Sequence, residues 1–317
     1  MNTPNLGYLY YKEYYSDDFF IKRYHDIDEK NKFEKKKLEN YFNEKNNEII
    51  NSSNVDKMAD MSDISLISKE DVIALKTTYP GLIVGTGYNH QLKKQDEFKL
   101  GLEFDYTTGL PIINGSSVKG LLRSVFYKSI NDPDNKDEQE LNKNKKEYIE
   151  SIIINIKNKK DFKFKNDSEF EELTKEIFDG KKLKTSGDKS QEAVYENIPM
   201  HERDIFYDAV IDIEQTRKLK SKYNNGKDND NVNSCILGND FITPHKNPLK
   251  NPIPIKFIKV MSDVVWKFQF DLKDVNLESG KCIKKDEKLK LFKQILLDLG
   301  IGAKTNVGYG KFEDMKK

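Results

Sequence analysis

The sequence predicts an α+β fold of the ferredoxin-like type, with helical and loop insertions. Three observations predict it. A stretch rich in β-branched residues indicates a strand over Val72–Thr78, an amphipathic helix follows near residue 116, and a second helix near the end of the chain precedes a short strand. Strand, helix, strands, helix, strand is the order of a split β-α-β unit.

The first 68 residues differ in character from the rest. "IDEKNKFEKKKLENYFNEKNNEII" indicates a charged helix with few apolar positions, which we expect to lie at the periphery. We therefore divide the chain into a mainly helical extension, 1–68, and a globular domain, 69–317. Polar, lysine- and asparagine-rich composition predicts insertions at about 131–200, as a solvated surface excursion, and at about 214–236, as a loop of low apolar content.

Two apolar patterns define the first half of the globular domain. Leu100, Leu102 and Phe104 alternate with polar residues, which predicts a half-buried strand. Val118, Leu121, Leu122 and Val125 have the spacing of one helical face. This helix is predicted to begin at Ser116 or Ser117, with the serine as N-cap, and to run to about Ile130.

The second half of the globular domain also shows alternating strand patterns followed by a helical pattern. "IFYDAVIDIE" has strand composition, and alternation of Trp266, Phe268, Phe270 and Leu272 predicts a further strand. One helical face then carries Leu289, Phe292, Leu296 and Leu299, and Gly300 is placed to cap the helix C-terminus. "YGKFED" begins the last short strand.

Composition excludes several classes of protein. No apolar run approaches the length of a membrane span, and "MNTPNLGYLYYKEYY" is too polar for a signal peptide. Two isolated cysteines, Cys235 and Cys282, favour neither a disulfide framework nor a cysteine-rich zinc site. We expect a cytoplasmic protein that does not associate with a membrane and needs no cofactor.

The stretch "GIGAKTNVGYG", residues 300–310, concentrates four glycines in a chain that is otherwise poor in glycine. Neither the P-loop pattern nor the Rossmann pattern fits it, since Ala303 and Thr305 stand where glycines are required. From Lys281 to Lys317 there are ten lysines against five acids, a net charge of +5. The loop could approach a nucleic-acid backbone in this positive field, or it could be a tight turn that only closes the sheet.

The helix near residue 116 offers a second candidate phosphate site. A capping box would place Glu or Gln three residues after Ser116, but Lys119 stands there. Gly115 precedes the helix and Arg123 lies one turn beyond Lys119, so the helix start suits a phosphate group. The alternative is an ordinary serine-capped helix with solvated basic residues.

Together, "GLPIINGSSVKGLLRSVF" and "GIGAKTNVGYGKF" resemble the signatures of the RAMP superfamily of type III CRISPR effectors. "TTYPGLIVGTGYNH", "LGLEFDYTTGLP", "GNDFITPHKNP" and "IGAKTNVGYG" make the chain most similar to the sixth RAMP subunit of the type III-B (Cmr) complex. The likeness covers roughly residues 70–130 and 200–314. Asn114 stands where the family usually has Pro, and Lys246 stands where an aromatic residue is common.

The resemblance implies an RRM-like RAMP domain in a ribonucleoprotein of antiviral defence. It implies a non-catalytic end subunit that caps the backbone filament and contacts the 3′ part of the guide RNA (crRNA). The implied partners are crRNA, target RNA, other RAMP subunits and the small subunit. The implied RNA-binding residues are Gly115, Ser116, Ser117, Lys119 and Arg123 on one wall of a groove, and Gly300, Gly302, Lys304, Thr305, Asn306, Gly308 and Tyr309 on the other, with His90 as a further candidate.

Two other functions remain open on the sequence alone. Some RAMP relatives cleave RNA by general acid–base chemistry, for which the chain offers His25, His90, His201 and His245. His90 or an acidic loop residue would then be active, although no histidines are paired in sequence as a metal or catalytic site would suggest. The third hypothesis is a protein–protein adaptor. We predict no catalytic residue and no metal site.

Overall fold

The computed structural model describes residues 5–15, 32–58, 71–85, 90, 96–129, 134–158, 161–184, 194–223, 234–243 and 254–315. The helices are α1 (Leu6–Tyr11), α2 (Lys32–Ser52), α3 (Gly115–Arg123), α4 (Lys136–Lys157), α5 (Asp167–Thr174), α6 (Ile213–Tyr223) and α7 (Lys285–Leu299). The strands are β1 (Val72–Thr77), β2 (Ile112–Ile113), β3 (Lys181–Leu183), β4 (Tyr195–Asn197), β5 (Ile205–Phe206), β6 (Ala209–Ile211), β7 (Leu237–Ile242), β8 (Ile255–Val260), β9 (Val265–Asp271), β10 (Val275–Asn276), β11 (Cys282–Ile283) and β12 (Phe312–Asp314).

The main sheet has the predicted ferredoxin-like order. Its antiparallel strands lie in the order β12-β1-β9-β6-β2. When β1, α3, β6, β9, α7 and β12 are taken as the β-α-β-β-α-β unit, the four strands of the unit stand in the order 4-1-3-2. The predicted α+β fold is confirmed.

The centre of the sheet is its most apolar part. In β9 the predicted alternation places Trp266, Phe268 and Phe270 with no exposed surface. Phe292 of α7 is equally buried and packs against Phe270 at a ring distance of 5.5 Å. Burial of each such ring contributes about 1.5–3 kcal/mol, so this layer between α7 and the sheet anchors the fold.

A bulge interrupts the strand formed by β5 and β6, which runs beside β9. Phe206 pairs with Phe270, whereas Val210 pairs with Lys267, so four steps on this strand oppose three on β9. The extra residue lies within Tyr207–Asp208, and bulges of this kind redirect side chains. Asp208 thereby reaches the start of α3, where its Oδ1 accepts a hydrogen bond from Gly115 N–H at 2.7 Å.

The N-terminal helices are packed into the core, which corrects the expected peripheral placement. In α2, Leu38, Tyr41, Phe42 and Ile49 are buried and belong to the same apolar cluster as the main sheet. The sequence suggested otherwise because the lysines and glutamates between these positions hide the narrow apolar stripe. The division at residue 68 remains a prediction.

The first insertion is also packed rather than a solvated excursion. Its helix α4 lies against α7, where Tyr148 donates to Asp298 at 2.7 Å and Lys157 pairs with Glu287 at 2.6 Å. Ile149 and Ile153 of α4 are buried. In the second insertion α6 occupies Ile213–Tyr223, where a loop was expected, and 224–233 lie outside the described residues.

Two local predictions need correction. Residues 100–104 form only isolated bridges, Leu100 to Phe257 and Phe104 to Pro111, although Leu102 and Phe104 are buried as the alternation indicated. Helix α3 ends at Arg123 rather than near Ile130. At the other end of the domain, Gly300 caps α7 with φ of 71°, as predicted.

Across the described ranges, no helix combines the length and the apolar character needed to cross a membrane.

Candidate nucleic-acid interface

The glycine loop, residues 300–310, owes its glycines to contacts within the protein. All four have positive φ. A Cβ atom on Gly310 would lie 1.9 Å from Ile301 O, and one on Gly302 would lie 2.3 Å from Ile83 O. The loop is fastened to residues 81–83 by hydrogen bonds of 2.8 Å from Ala303 N to Ile83 O and from Gly310 N to Gly81 O. These glycines allow backbone segments to meet, which a side chain would prevent.

Tyr309, a predicted RNA contact, is 9% exposed and serves the same packing. Its hydroxyl donates to Asp240 Oδ2 at 2.7 Å, and Lys259 donates to the same oxygen at 2.7 Å. Burial alone would raise the pKa of Asp240, but the hydrogen bonds from Lys259 and Tyr309 outweigh it and hold that pKa below its usual value. Tyr309 therefore ties the loop to the β7–β8 hairpin.

The loop presents a different set of groups to solvent. Asn306 and Val307 are exposed, and Lys304 and Thr305 are half-buried. Lys304 has φ of 61°, a left-handed conformation that costs a non-glycine residue roughly 1 kcal/mol. Within the described ranges, no carboxylate pairs with Lys304, so its charge is available to a ligand.

The start of α3 is capped differently from the prediction. Asn114, not a serine, is the N-cap, and its side chain donates to Glu103 Oε1 at 2.6 Å instead of capping the helix. The Gly115 N–H is taken by Asp208. A Cβ atom on Gly115 would lie 2.2 Å from Phe206 O, so this glycine also permits close packing. Ser116 and Ser117 remain exposed.

Both predicted segments meet at one cleft of about 220 Å³, which we call the glycine cleft. It is lined by Val84, Gly85, Glu103, Ile112, Ile113, Asn114, Ser117, Ile301, Gly302 and Ala303. The serine end of α3 and the beginning of the glycine loop thus line the same cleft, and their role as two walls of an RNA groove stays a prediction. Glu103 adds a carboxylate to this lining, whereas Lys304 directly follows the lining residue Ala303 in sequence.

The two basic groups predicted on α3 do not line the glycine cleft. The Lys119 ammonium lies 5.7 Å from the centre of the Phe206 ring, and no described carboxylate pairs with it. Arg123 forms a two-pronged ion pair with Asp179, at 2.5 and 3.2 Å. Of the two, only Lys119 keeps a charge that is not already neutralised by a carboxylate.

The positive tail is less positive in the folded protein than its composition suggested. Lys281, Lys288 and Lys293 pair with Glu169, Asp204 and Asp314. Lys311 donates to the carbonyls of Asp298 and Leu299 at the end of α7, both at 2.9 Å. The folded structure therefore leaves Lys304 as the cation of the glycine loop that faces neither a carboxylate nor a helix end within the described part of the chain.

His90 lies apart from the other predicted residues. Its ring stacks against Tyr10 and Tyr14, with centroid distances of 4.3 and 4.1 Å, and its Nε2 is 3.0 Å from Tyr10 O. Burial lowers the pKa of His90 to about 4, so the ring is neutral at pH 7. Packing of the N-terminal segment is the role that this geometry supports.

Of the remaining histidines, His201 lies in the described part of the chain. His201 is exposed beside Glu202, with 3.4 Å between Nε2 and Oε1. His25, His245 and Lys246 lie outside the described residues. Among the residues that the structure describes, no cluster of three or more His, Cys, Asp or Glu side chains could hold a metal ion.

Sequence reasoning missed two carboxylates that shape the site. Asp208 reaches the start of α3 from a segment that is distant in sequence, whereas Glu103 reaches it from the segment shortly before the helix. The odd spacing between the apolar residues of "IFYDAVI" was the available signal, because a break in period two indicates a bulge.

Comparisons with known proteins give one family and several structural neighbours, three of which are described below. The model of the RAMP superfamily matches residues 74–313. A chain in the cryo-EM structure of the type III-B Cmr-beta complex bound to cognate target RNA is 20% identical, with a TM-score of 0.44, over 98% of this chain and 84% of that one. Cmr6 from Pyrococcus furiosus is 22% identical, with a TM-score of 0.38, over 77% and 97%. A chain of a type III-A Csm–crRNA–target RNA complex is 17% identical, with a TM-score of 0.22, over 55% and 39%. No curated protein matches the sequence.

Proposed function

Because this chain belongs to the RAMP superfamily, we propose that it is a guide-RNA-binding subunit of a cytoplasmic type III-B CRISPR ribonucleoprotein. In this role it caps one end of the backbone filament near the 3′ part of the crRNA and supports recognition of target RNA. Its partners are the crRNA, the target RNA, the other RAMP subunits and the small subunit. The observation that carries the proposal is that the family match spans both signature segments, which converge on the glycine cleft.

The mechanism that we propose is retention of the RNA backbone at the rim of the cleft. Ser116, Ser117, Lys304, Thr305 and Asn306 offer hydroxyl, amide and ammonium donors, which suit phosphate and sugar oxygens. Such contacts read no bases, so affinity should fall with salt and vary little with sequence. Gly300, Gly302, Gly308 and Tyr309 shape this rim rather than touch RNA.

We also propose that the chain binds RNA without cutting it. His90 supports this, because its ring is buried and packs against Tyr10 and Tyr14 rather than facing solvent. If the nuclease hypothesis were right, the purified chain would cleave RNA and His90→Ala would abolish cleavage while RNA binding survived.

Purification of the tagged chain from its native host tests the assignment to a complex. Sequencing of the RNA and mass spectrometry of the proteins should recover repeat-derived guides together with several RAMP subunits. Recovery of the chain without guide RNA would contradict the proposal.

Lys304→Gly tests the RNA contact without weakening the fold. Glycine adopts the left-handed conformation freely, so this variant should be at least as stable as the wild type. It should bind single-stranded RNA about threefold to tenfold more weakly at low salt. The slope of log affinity against log salt should fall by about 0.7, the value for one phosphate contact.

The exposed lysine Lys290 of α7 provides the matched control, Lys290→Ala, which removes one charge and keeps a good helix-forming residue. Equal losses in the two variants would mean that only net charge matters and that the cleft is not the contact. An additional Lys119→Glu substitution should deepen the loss if RNA extends beyond the cleft, and should leave RNA crosslinking unchanged if the chain is only an adaptor.

A further inference from the structure

Three tyrosines form an exposed aromatic groove next to the glycine cleft. Tyr8, Tyr11 and Tyr106 are 54%, 40% and 94% exposed, and with Phe104 they border a groove of about 720 Å³. We call it the tyrosine groove. Because exposed apolar patches in soluble proteins mark binding surfaces more often than isolated apolar residues do, the groove needs a ligand that accounts for it.

The groove is built on a rigid support. Helix α1 docks on the turn at 105–109 through the hydrogen bond from Gly7 N to Gly109 O at 3.2 Å, and the Asn5 side chain donates to Tyr106 O at 3.3 Å. The Tyr11 hydroxyl donates to Leu102 O at 2.9 Å and accepts from Phe104 N at 3.2 Å. The ring of Tyr11 is therefore held in place before any ligand arrives.

One hairpin connects the groove to the glycine cleft. Residues 103–112 pair through Ile112 N to Glu103 O at 3.0 Å and Asp105 N to Leu110 O at 2.8 Å. Glu103 and Ile112 line the cleft, whereas Tyr106 stands at the tip of the same hairpin. Tyr106 is three residues beyond Glu103, and each step along an extended chain spans about 3.3 Å, so the cleft and the groove lie within roughly 10 Å of each other.

The groove carries one positive and one negative side chain. Lys12 lines the groove, and no described carboxylate pairs with it. The Asp105 carboxylate is held in the turn, where its Oδ1 accepts a hydrogen bond from Thr108 N–H at 2.6 Å, so Lys12 is the charged group that we assign to an anionic ligand. Among the described residues that border the groove, none is aliphatic, so it offers flat rings and an ammonium group rather than the interlocking surface of a protein core.

We propose that the tyrosine groove binds an unpaired nucleobase of the RNA strand whose backbone passes the glycine cleft. This rests on the proposed function. Tyr8 or Tyr106 would stack on the base, the fixed ring of Tyr11 would form the wall, and Lys12 would meet the adjacent phosphate. Stacking on aromatic rings tolerates every base, because each base has a π-face.

The test compares affinity, salt dependence and crosslinks for single-stranded RNA that carries 4-thiouridine. The double variant Tyr8→Ala/Tyr106→Ala removes two exposed rings and should leave the fold intact. It should bind RNA about tenfold more weakly with an unchanged salt slope, because stacking releases no counterions.

Near-UV irradiation of the wild-type full chain should crosslink RNA to Tyr8 or Tyr106. Tyr8→Trp/Tyr106→Trp should retain affinity, and Met200→Ala, which removes an 80% exposed apolar side chain in the insertion, should do so too.

The other outcomes separate this inference from the proposed function. If Lys304→Gly weakens binding while the tyrosine double variant does not, the cleft binds RNA and the groove inference is overturned. If a neighbouring protein subunit, rather than RNA, crosslinks to these tyrosines in the purified complex, the groove is a protein interface and the inference is again overturned. If the wild-type chain binds no RNA, both fall.

Discussion

The glycine loop and the start of α3 both contain glycine and a nearby lysine, yet their backbone N–H groups have different acceptors in the folded protein. In the loop, the N–H groups of Ala303 and Gly310 bond to residues 81–83 within the protein. At the start of α3, Gly115 N–H bonds to the carboxylate of Asp208. The sequence suggested that both segments could bind a phosphate group. In the structure these N–H groups donate to acceptors within the protein instead. The side chains that our proposal leaves for a ligand are the half-buried Lys304 and the two exposed serines.

The largest effect is expected where the loop is tightest. Gly310→Ala places a Cβ atom 1.9 Å from Ile301 O at a positive φ, so we expect a loss of about 4 kcal/mol in the free energy of unfolding. Urea denaturation measures it. Gly120→Ala is the control, because nothing lies within 4 Å of its Cβ, and helical alanine should stabilise by roughly 0.5–1 kcal/mol. Equal free energies of unfolding for the two variants would show that the loop is not packed closely against the rest of the protein.

A smaller effect should separate capping from charge at the start of α3. Asp208→Ala removes the acceptor of Gly115 N–H and should cost about 1 kcal/mol of stability, whereas Asp208→Asn keeps an acceptor oxygen and should cost less. Both remove a negative charge near the exposed serines, so RNA affinity at low salt should rise about twofold. Unchanged affinity in both variants would mean that RNA does not approach this helix end.

The smallest effect is expected at Arg123. Its guanidinium already pairs with Asp179 on the surface, and exposed pairs of this kind contribute about 0–1 kcal/mol. Arg123→Gln should therefore change both stability and RNA affinity only slightly, by less than about twofold in affinity. A drop in the salt slope equal to that of Lys304→Gly would reveal that RNA displaces Asp179 from Arg123.

Local sequence patterns correctly predicted the central strand and the C-terminal helix of the fold. Alternation from Trp266 to Phe270 defined the central strand, the apolar face around Phe292 defined α7, and Gly300 capped it. These features depend on neighbours within a few residues, which period and capping rules describe. They fixed the element order, and from it the ferredoxin-like topology.

Long-range partners were beyond such rules. The glycine loop closes on residues 81–83, more than 200 positions away, and Asp208 reaches Gly115 only because the strand formed by β5 and β6 bulges. The stripe of Leu38, Phe42 and Ile49 on α2 was obscured by lysines, although these residues join the main core. For the same reason the net charge of the tail was misleading, since pairing partners such as Asp204 lie elsewhere in the sequence.

The bulge at Tyr207–Asp208 acts as a phase shift in the strand formed by β5 and β6. In unbroken period two, Phe206 would share its face with Asp208 and Val210. With one residue added, the fully buried Ala209 and the buried Ile211 follow Phe206 at odd spacing. The same strand can therefore pack its apolar residues in the core and present Asp208 to α3. Deletion of one residue here would turn either the carboxylate inward or the apolar residues outward, so the number of residues at this point is constrained.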